Sequence, residues 1–226
     1  TAQAYGNERM LGEAWRKSGL KREELFITTK IAVEHFGYHR AKDTFAESLK
    51  NLQTDYVDLL LLHFPVSLLR KKSWLALEEI QAAGQAKSIG VSNYMIRHLE
   101  EMQHYANVLP AVNQVELHVF LQQPELVKYC QEQGITVEAY SPLARGNIMD
   151  NEVVSEIAQK HGKTYAQVML RFLVEQGLVV IPKSVTPDRI KENFEIFDFK
   201  LDGDDMEILA KEDLDRRFCW SPVHVP

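Results

Sequence analysis

Two cysteines in 226 residues, Cys130 and Cys219, are too few for a disulfide framework, and they do not form a CxxC pair. A reduced, cytoplasmic protein is the simpler expectation. No apolar run approaches the roughly 18 residues of a membrane span. No HExxH or Cys/His cluster is present, which removes the usual zinc-enzyme patterns, and no GxGxxG follows any predicted strand. Excess positive charge is missing too. A net charge of -6 argues against a nucleic-acid partner, while leaving room for a small basic patch that holds a phosphate. Long linkers and low-complexity stretches are absent, so one domain over 1-226 is expected. The 45% hydrophobic and 26% charged fractions are ordinary for a globular chain.

What is present is alternation. Asn7 to Ser18 has Met10, Leu11, Ala14 and Trp15 at helical spacing, with Gly19 as its stop. Leu25 to Lys30 is a β-rich run, and Arg40 to Leu52 places Ala41, Phe45, Leu49 and Leu52 on one helical stripe. Val57 to Leu62 is an almost unbroken apolar run of strand length, the signature of a parallel strand covered on both faces. It ends at His63-Phe64-Pro65, and a short connection, Val66 to Lys72, follows. Helices are predicted over Ser73 to Ala83, Tyr94 to Tyr105, Pro124 to Gly134, Glu152 to Lys160, Tyr165 to Glu175, Thr186 to Phe194 and Asp202 to Lys211. Strands are predicted over Lys87 to Val91, Ala111 to Glu116, Ile135 to Tyr140 and Leu178 to Ile181. Thr164 with Gln167 has the capping-box pattern, and Thr186-Pro187 supplies a cap and a first-turn proline.

Six strands, each followed by a helix, predict a parallel α/β fold. A (β/α)8 TIM barrel is favoured over an open doubly wound sheet because the dinucleotide fingerprint of the latter is missing. Six units do not close eight. The sequence is therefore expected to be incomplete at its start, with the first strand–helix units lying before residue 1.

In such a barrel the carboxyl ends of the strands converge on one face. The residues there are Tyr5, Lys30, His63, Ser92-Asn93, Gln114, Tyr140-Ser141 and Lys183-Ser184. A phenol, an ammonium and an imidazole together suit proton transfer to a developing alkoxide. The amides and hydroxyls suit a flat, hydrogen-bonding ligand. Taken singly, Tyr5 reads as a strand-end aromatic, Lys30 as a solvated charge and His63 as a satisfied polar terminus; their joint placement carries the reading. His35 and His39 are expected in a loop, His118 as structural, and Glu116 as part of the fold and the solvated surface.

Thr1-Ala-Gln-Ala-Tyr5-Gly-Asn-Glu8, Phe26-Ile-Thr-Thr-Lys30, Leu61-Leu-His63-Phe-Pro65, Gly90-Val-Ser-Asn93, Val112-Asn-Gln-Val-Glu-Leu-His118, Ala139-Tyr-Ser-Pro-Leu143 and Ile181-Pro-Lys-Ser184 resemble, in order, the motifs of the aldo-keto reductases. The resemblance covers essentially the whole chain. It implies an NADPH-dependent barrel enzyme that reduces aldehydes and ketones to alcohols without a metal. Tyr5 then resembles the proton donor, Lys30 the cation that eases the proton's departure, and His63 the residue that orients the carbonyl. The family's aspartate stands immediately before the Thr-Ala pair, upstream of Thr1.

Ser92, Asn93 and Gln114 match the nicotinamide-carboxamide positions, and Tyr140 the ring that stacks on it. Ser141, Leu143 and Arg145 match the pyrophosphate loop. Lys183, Ser184 and Arg189 match the 2′-phosphate site, with Glu192 and Asn193 near the adenine and Val185 among the cofactor-binding positions. Ala32 and Phe64 replace tryptophans found in many relatives, and with Trp220, and Phe36 beside them, are expected to line the substrate pocket. The resemblance leaves two alternatives open: a non-catalytic NADPH-binding regulatory subunit and a Schiff-base aldolase on Lys30. A monomer or weak oligomer acting on a small carbonyl compound is expected.

Overall fold

The computed structural model describes residues 1–66 and 68–226; Ser67, within the Val66 to Lys72 connection, lies outside the described residues. They form two compact units, residues 1–113 with 222–226, and residues 114–221. Both repeat the strand–helix alternation read from the sequence.

In the first unit, α1 (Glu8–Ser18), β1 (Thr28–Ile31), α2 (Tyr38–Leu52), β2 (Val57–Leu62), α3 (Arg70–Ala82), β3 (Ala86–Ser92) and α4 (Ile96–Gln103) follow in order. Here β1 pairs with β2 and β2 with β3, all parallel. Every residue of β2 is buried, as a parallel strand with covered faces requires. The run holds one charge. Asp58 is buried and accepts hydrogen bonds from Ile27 N at 2.9 Å and Arg22 Nη2 at 2.7 Å, while Lys87 Nζ lies 2.9 Å away. Burial pushes its carboxyl up, but the Ile27 bond and the two cations outweigh that and hold it below the usual carboxylate value.

The same contacts correct the predicted start of β1. The Ile27 N–H is taken by Asp58, Arg22 Nη1 donates to Leu25 O at 2.8 Å, and Phe26 is 71% exposed, so the strand begins only at Thr28. Helix α2 starts two residues earlier than predicted and includes His39, which is therefore helical rather than in a loop. Helix α3 starts at Arg70 instead of Ser73, where the guanidinium donates to Pro65 O at 3.0 Å. Helix α4 omits Tyr94 because the Asn113 side chain holds that residue's backbone: its Oδ1 accepts from Tyr94 N at 3.3 Å and its Nδ2 donates to Tyr94 O at 2.9 Å.

In the second unit, α5 (Pro124–Glu132), β5 (Thr136–Tyr140), α6 (Glu152–His161), α7 (Tyr165–Glu175), β6 (Val179–Ile181), α8 (Pro187–Phe194) and α9 (Gly203–Ala210) come after β4 (Val112–Glu116), whose first two residues belong to the first unit. Strands β5 and β6 are parallel. The capping box at Thr164 and Gln167 is formed. Thr186 differs from expectation: its side chain makes no cap bond, and its N–H instead donates to Ser184 Oγ at 3.1 Å. Among the described residues no helix is long and apolar enough to cross a membrane.

Candidate active site

Tyr5 stands on a single 3-10 turn, Gln3–Tyr5, closed by Gly6 at a left-handed φ of 64°. The turn is pinned through Gln3. Its Oε1 accepts from Ala32 N at 2.9 Å and lies 2.9 Å from His35 Nδ1, and its Nε2 donates to Ser48 Oγ at 3.0 Å. The Tyr5 turn is thereby fixed to the end of β1 and to α2. Glu8, buried at the start of α1, accepts from Thr29 Oγ1 at 2.5 Å and ties the following helix to the same strand.

Lys30 is only 4% exposed; its Nζ donates to Thr1 O at 3.1 Å and lies 5.1 Å from the centroid of the Tyr5 ring. His63, just past β2, meets the same ring edge-on, with centroids 5.5 Å apart and planes at 79°. Asn93 Nδ2 donates to His63 O at 3.2 Å, with Ser92 Oγ 3.1 Å away, so the end of β3 braces the end of β2. Burial, and then the Lys30 charge, push the His63 ring down from 6.5 to about 4. The imidazole is neutral at pH 7. A neutral ring can donate to a carbonyl oxygen through one nitrogen without being a strong acid.

The first unit thus brings Tyr5, Lys30, His63, Ser92 and Asn93 together. Of the predicted pocket residues in this unit, Ala32 and Phe36 are buried and Phe64 is half-buried. A cleft of about 830 Å³ opens elsewhere, at the amino ends of the strands, lined by Trp15, Arg22, Thr54 and Tyr56 and touching none of the cluster.

The remaining predicted positions lie in the second unit. Gln114 is buried with its Nε2 donating to Glu138 Oε1. Tyr140, Ser141 and Leu143 are half-buried, and Arg145 is exposed. Ser141, Ala144, Arg145 and Gly146 all take left-handed backbone conformations. Lys183, Val185 and Arg189 are exposed beside the half-buried Ser184 at the start of α8. Among the described residues neither cation pairs with a carboxylate, so this donor set at a helix N-terminus fits a phosphate. Glu192 faces α7 and accepts from Thr164 Oγ1 at 2.5 Å; Asn193 is buried and Trp220 is 81% exposed.

Two anchors were missed by the sequence reading. Gln3 lies inside a quoted motif, but only the fold shows what it holds. Glu116 is 1% exposed rather than solvated, accepting from Phe218 N at 2.8 Å and Cys219 N at 3.1 Å.

The sequence profile described as the aldo/keto reductase family matches residues 1–213. The chain is 47% identical over 222 residues to the glyoxal reductase of Bacillus subtilis (strain 168), covering 98% of this chain and 80% of that protein. It is 43% identical over 226 residues to the methylglyoxal reductase DkgA of Escherichia coli (strain K12), covering 98% and 82%. Among solved structures, a mutant of Gox0644 in complex with NADPH is similar with a TM-score of 0.94 at 37% identity, covering all of this chain and 83% of that one.

Proposed function

The chain belongs to the aldo/keto reductase family, and from that membership we propose that it is an NADPH-dependent reductase of small aldehydes and ketones, with α-dicarbonyls such as glyoxal and methylglyoxal as the first candidates. The observation that carries the reading is the contact of the Tyr5 ring with both Lys30 and His63, all on one compact unit. The printed names of the relatives favour dicarbonyls, and the NADPH-bound neighbour favours the cofactor. The closed (β/α)8 barrel and the single domain over 1-226 belong to the same proposal, supported by the family and by parallel pairing within each unit.

When bound, NADPH supplies the hydride. Tyr5 donates the proton to the carbonyl oxygen. Lys30 stabilises the phenolate charge left behind, and a buried ammonium does so more strongly than a solvated one. The neutral His63 ring holds the carbonyl oxygen by a hydrogen bond and leaves the proton to come from Tyr5. Ser92, Asn93 and Gln114 would hold the carboxamide, Tyr140 would face the nicotinamide, and Ser141, Leu143 and Arg145 would hold the pyrophosphate. Lys183, Ser184 and Arg189 would hold the 2′-phosphate, with Glu192 and Asn193 near the adenine and Val185 as a further cofactor contact. Ala32, Phe64 and Trp220 remain the proposed substrate contacts.

The test is NADPH oxidation over a panel of glyoxal, methylglyoxal, simple aldehydes and ketones, with Tyr5→Phe alongside. The expected result is dicarbonyl turnover that falls by about 10²-fold or more in Tyr5→Phe, with NADPH binding retained. Tight NADPH binding without turnover of any carbonyl would favour the regulatory alternative.

A further inference from the structure

Ser141, Ala144 and Arg145 adopt φ values of 50°, 49° and 55°, and Gly146 75°. Three non-glycine residues in the left-handed region within one loop are costly, and such strain persists only where surrounding structure over-determines it. In the second unit that support includes the Phe218–Cys219 segment. Cys219 Sγ lies 3.7 Å from Ser141 Oγ, and Arg145 Nη1 donates to Phe218 O at 3.5 Å. The segment is itself held by one buried carboxylate: Glu116, at the end of β4, takes the Phe218 and Cys219 N–H groups on its two oxygens. A second strut runs beside it, where Arg217 Nη2 donates to Gln123 Oε1 at 2.6 Å and Gln123 Nε2 donates to Glu116 O at 2.8 Å.

We propose that Glu116 is a positioning residue for the cofactor loop. Its carboxylate clamps the Phe218–Cys219 backbone, and that segment holds Ser141 and Arg145 in the strained conformation from which they grip the cofactor's phosphates. The inference rests on the reading that residues 141–145 contact the pyrophosphate. Charge-assisted bonds to backbone N–H groups are the stronger class of hydrogen bond, and a carboxylate can accept two at once where an amide offers one acceptor oxygen. Beside the clamp, His118 Nε2 lies 3.5 Å from Glu116 Oε1.

The decisive variant is Glu116→Gln, which keeps the size of the side chain and removes one acceptor. In cofactor-free protein, Cys219 should react with a thiol reagent about tenfold faster than in wild type, with the buried Cys130 as internal reference. The Kd for NADPH should rise about tenfold, the cost of about one lost charge-assisted bond, and the loss should fall on KM for NADPH more than on kcat. Gln123→Ala, which cuts the second strut and leaves the carboxylate in place, should move both readouts in the same direction by about threefold. Wild-type Cys219 reactivity and wild-type NADPH affinity in both variants would overturn the inference alone. A wild-type protein that does not bind NADPH would overturn the cofactor reading and this inference together.

Discussion

Protonating His63 should cost the folded protein measurable stability. An unperturbed histidine titrates at 6.5, whereas burial and the Lys30 charge push this ring down to about 4. The interval corresponds to about 3 kcal/mol of preference for the neutral ring, an upper bound because the ring keeps some solvent contact. The sign follows from proton counting. Between the two values the unfolded chain binds a proton at this site and the folded chain does not. Stability from His63 is therefore complete above pH 6.5 and is lost as the pH falls towards 4. At pH 5 the two titration curves differ by about 2 kcal/mol.

Other groups titrate in the same range, including His98, which burial also pushes down. The measurement must therefore be a difference between proteins. Urea unfolding of wild type and His63→Asn at pH 7 and pH 5 supplies it: wild type should lose about 2 kcal/mol more than the variant over that interval. NMR titration of the imidazole, assigned by the same variant, reads the ring directly, and Lys30→Met should move its midpoint upward. A His63 midpoint at or above 6.5, or equal acid losses in wild type and variant, would refute the neutral-ring argument and with it the assignment of His63 as a carbonyl-orienting donor at pH 7.

Two further outcomes test the scaffold and the cofactor site. Gly90→Ala places a methyl 2.5 Å from Val112 O and 2.8 Å from Leu61 Cδ2, so backbone must shift just below Ser92 and Asn93; thermal unfolding should report a loss of about 1–3 kcal/mol, and unchanged stability would mean that β3 is not seated as described. Lys183→Ala with Arg189→Ala should raise the Kd for NADPH at least about tenfold while leaving NADH nearly unaffected; equal losses for both cofactors would remove these residues from the 2′-phosphate.

Much of the site was legible because parallel strands announce themselves. Val57 to Leu62 has the predicted bounds in the structure, since an apolar run between a polar turn and a His-Pro end leaves little choice of register. Strand ends then follow from strand positions, and the ordered motifs assign them to a family. Tyr5, Lys30 and His63 were legible on that basis, although no spacing rule places residues so far apart in sequence around one ring.

What escaped the sequence reading shares a physical character. Gln3, Asp58 and Glu116 are polar side chains whose partners are backbone groups or other side chains far along the chain, and propensity and periodicity are blind to such pairs. Asp58 reads as a blemish in an apolar run, yet three donors meet on it and set where β1 begins. Glu116 reads as strand-end surface, yet it faces inward and takes two N–H groups from residues more than a hundred positions away. A buried polar atom without a partner costs more than its bond contributes. Each of these side chains therefore constrains the backbone that satisfies it, and in this chain Gln3 and Glu116 constrain segments that carry proposed site residues. The residues proposed to do chemistry were found from what stands at the strand ends. Those that aim them become visible only once the tertiary partner of each buried polar group is known.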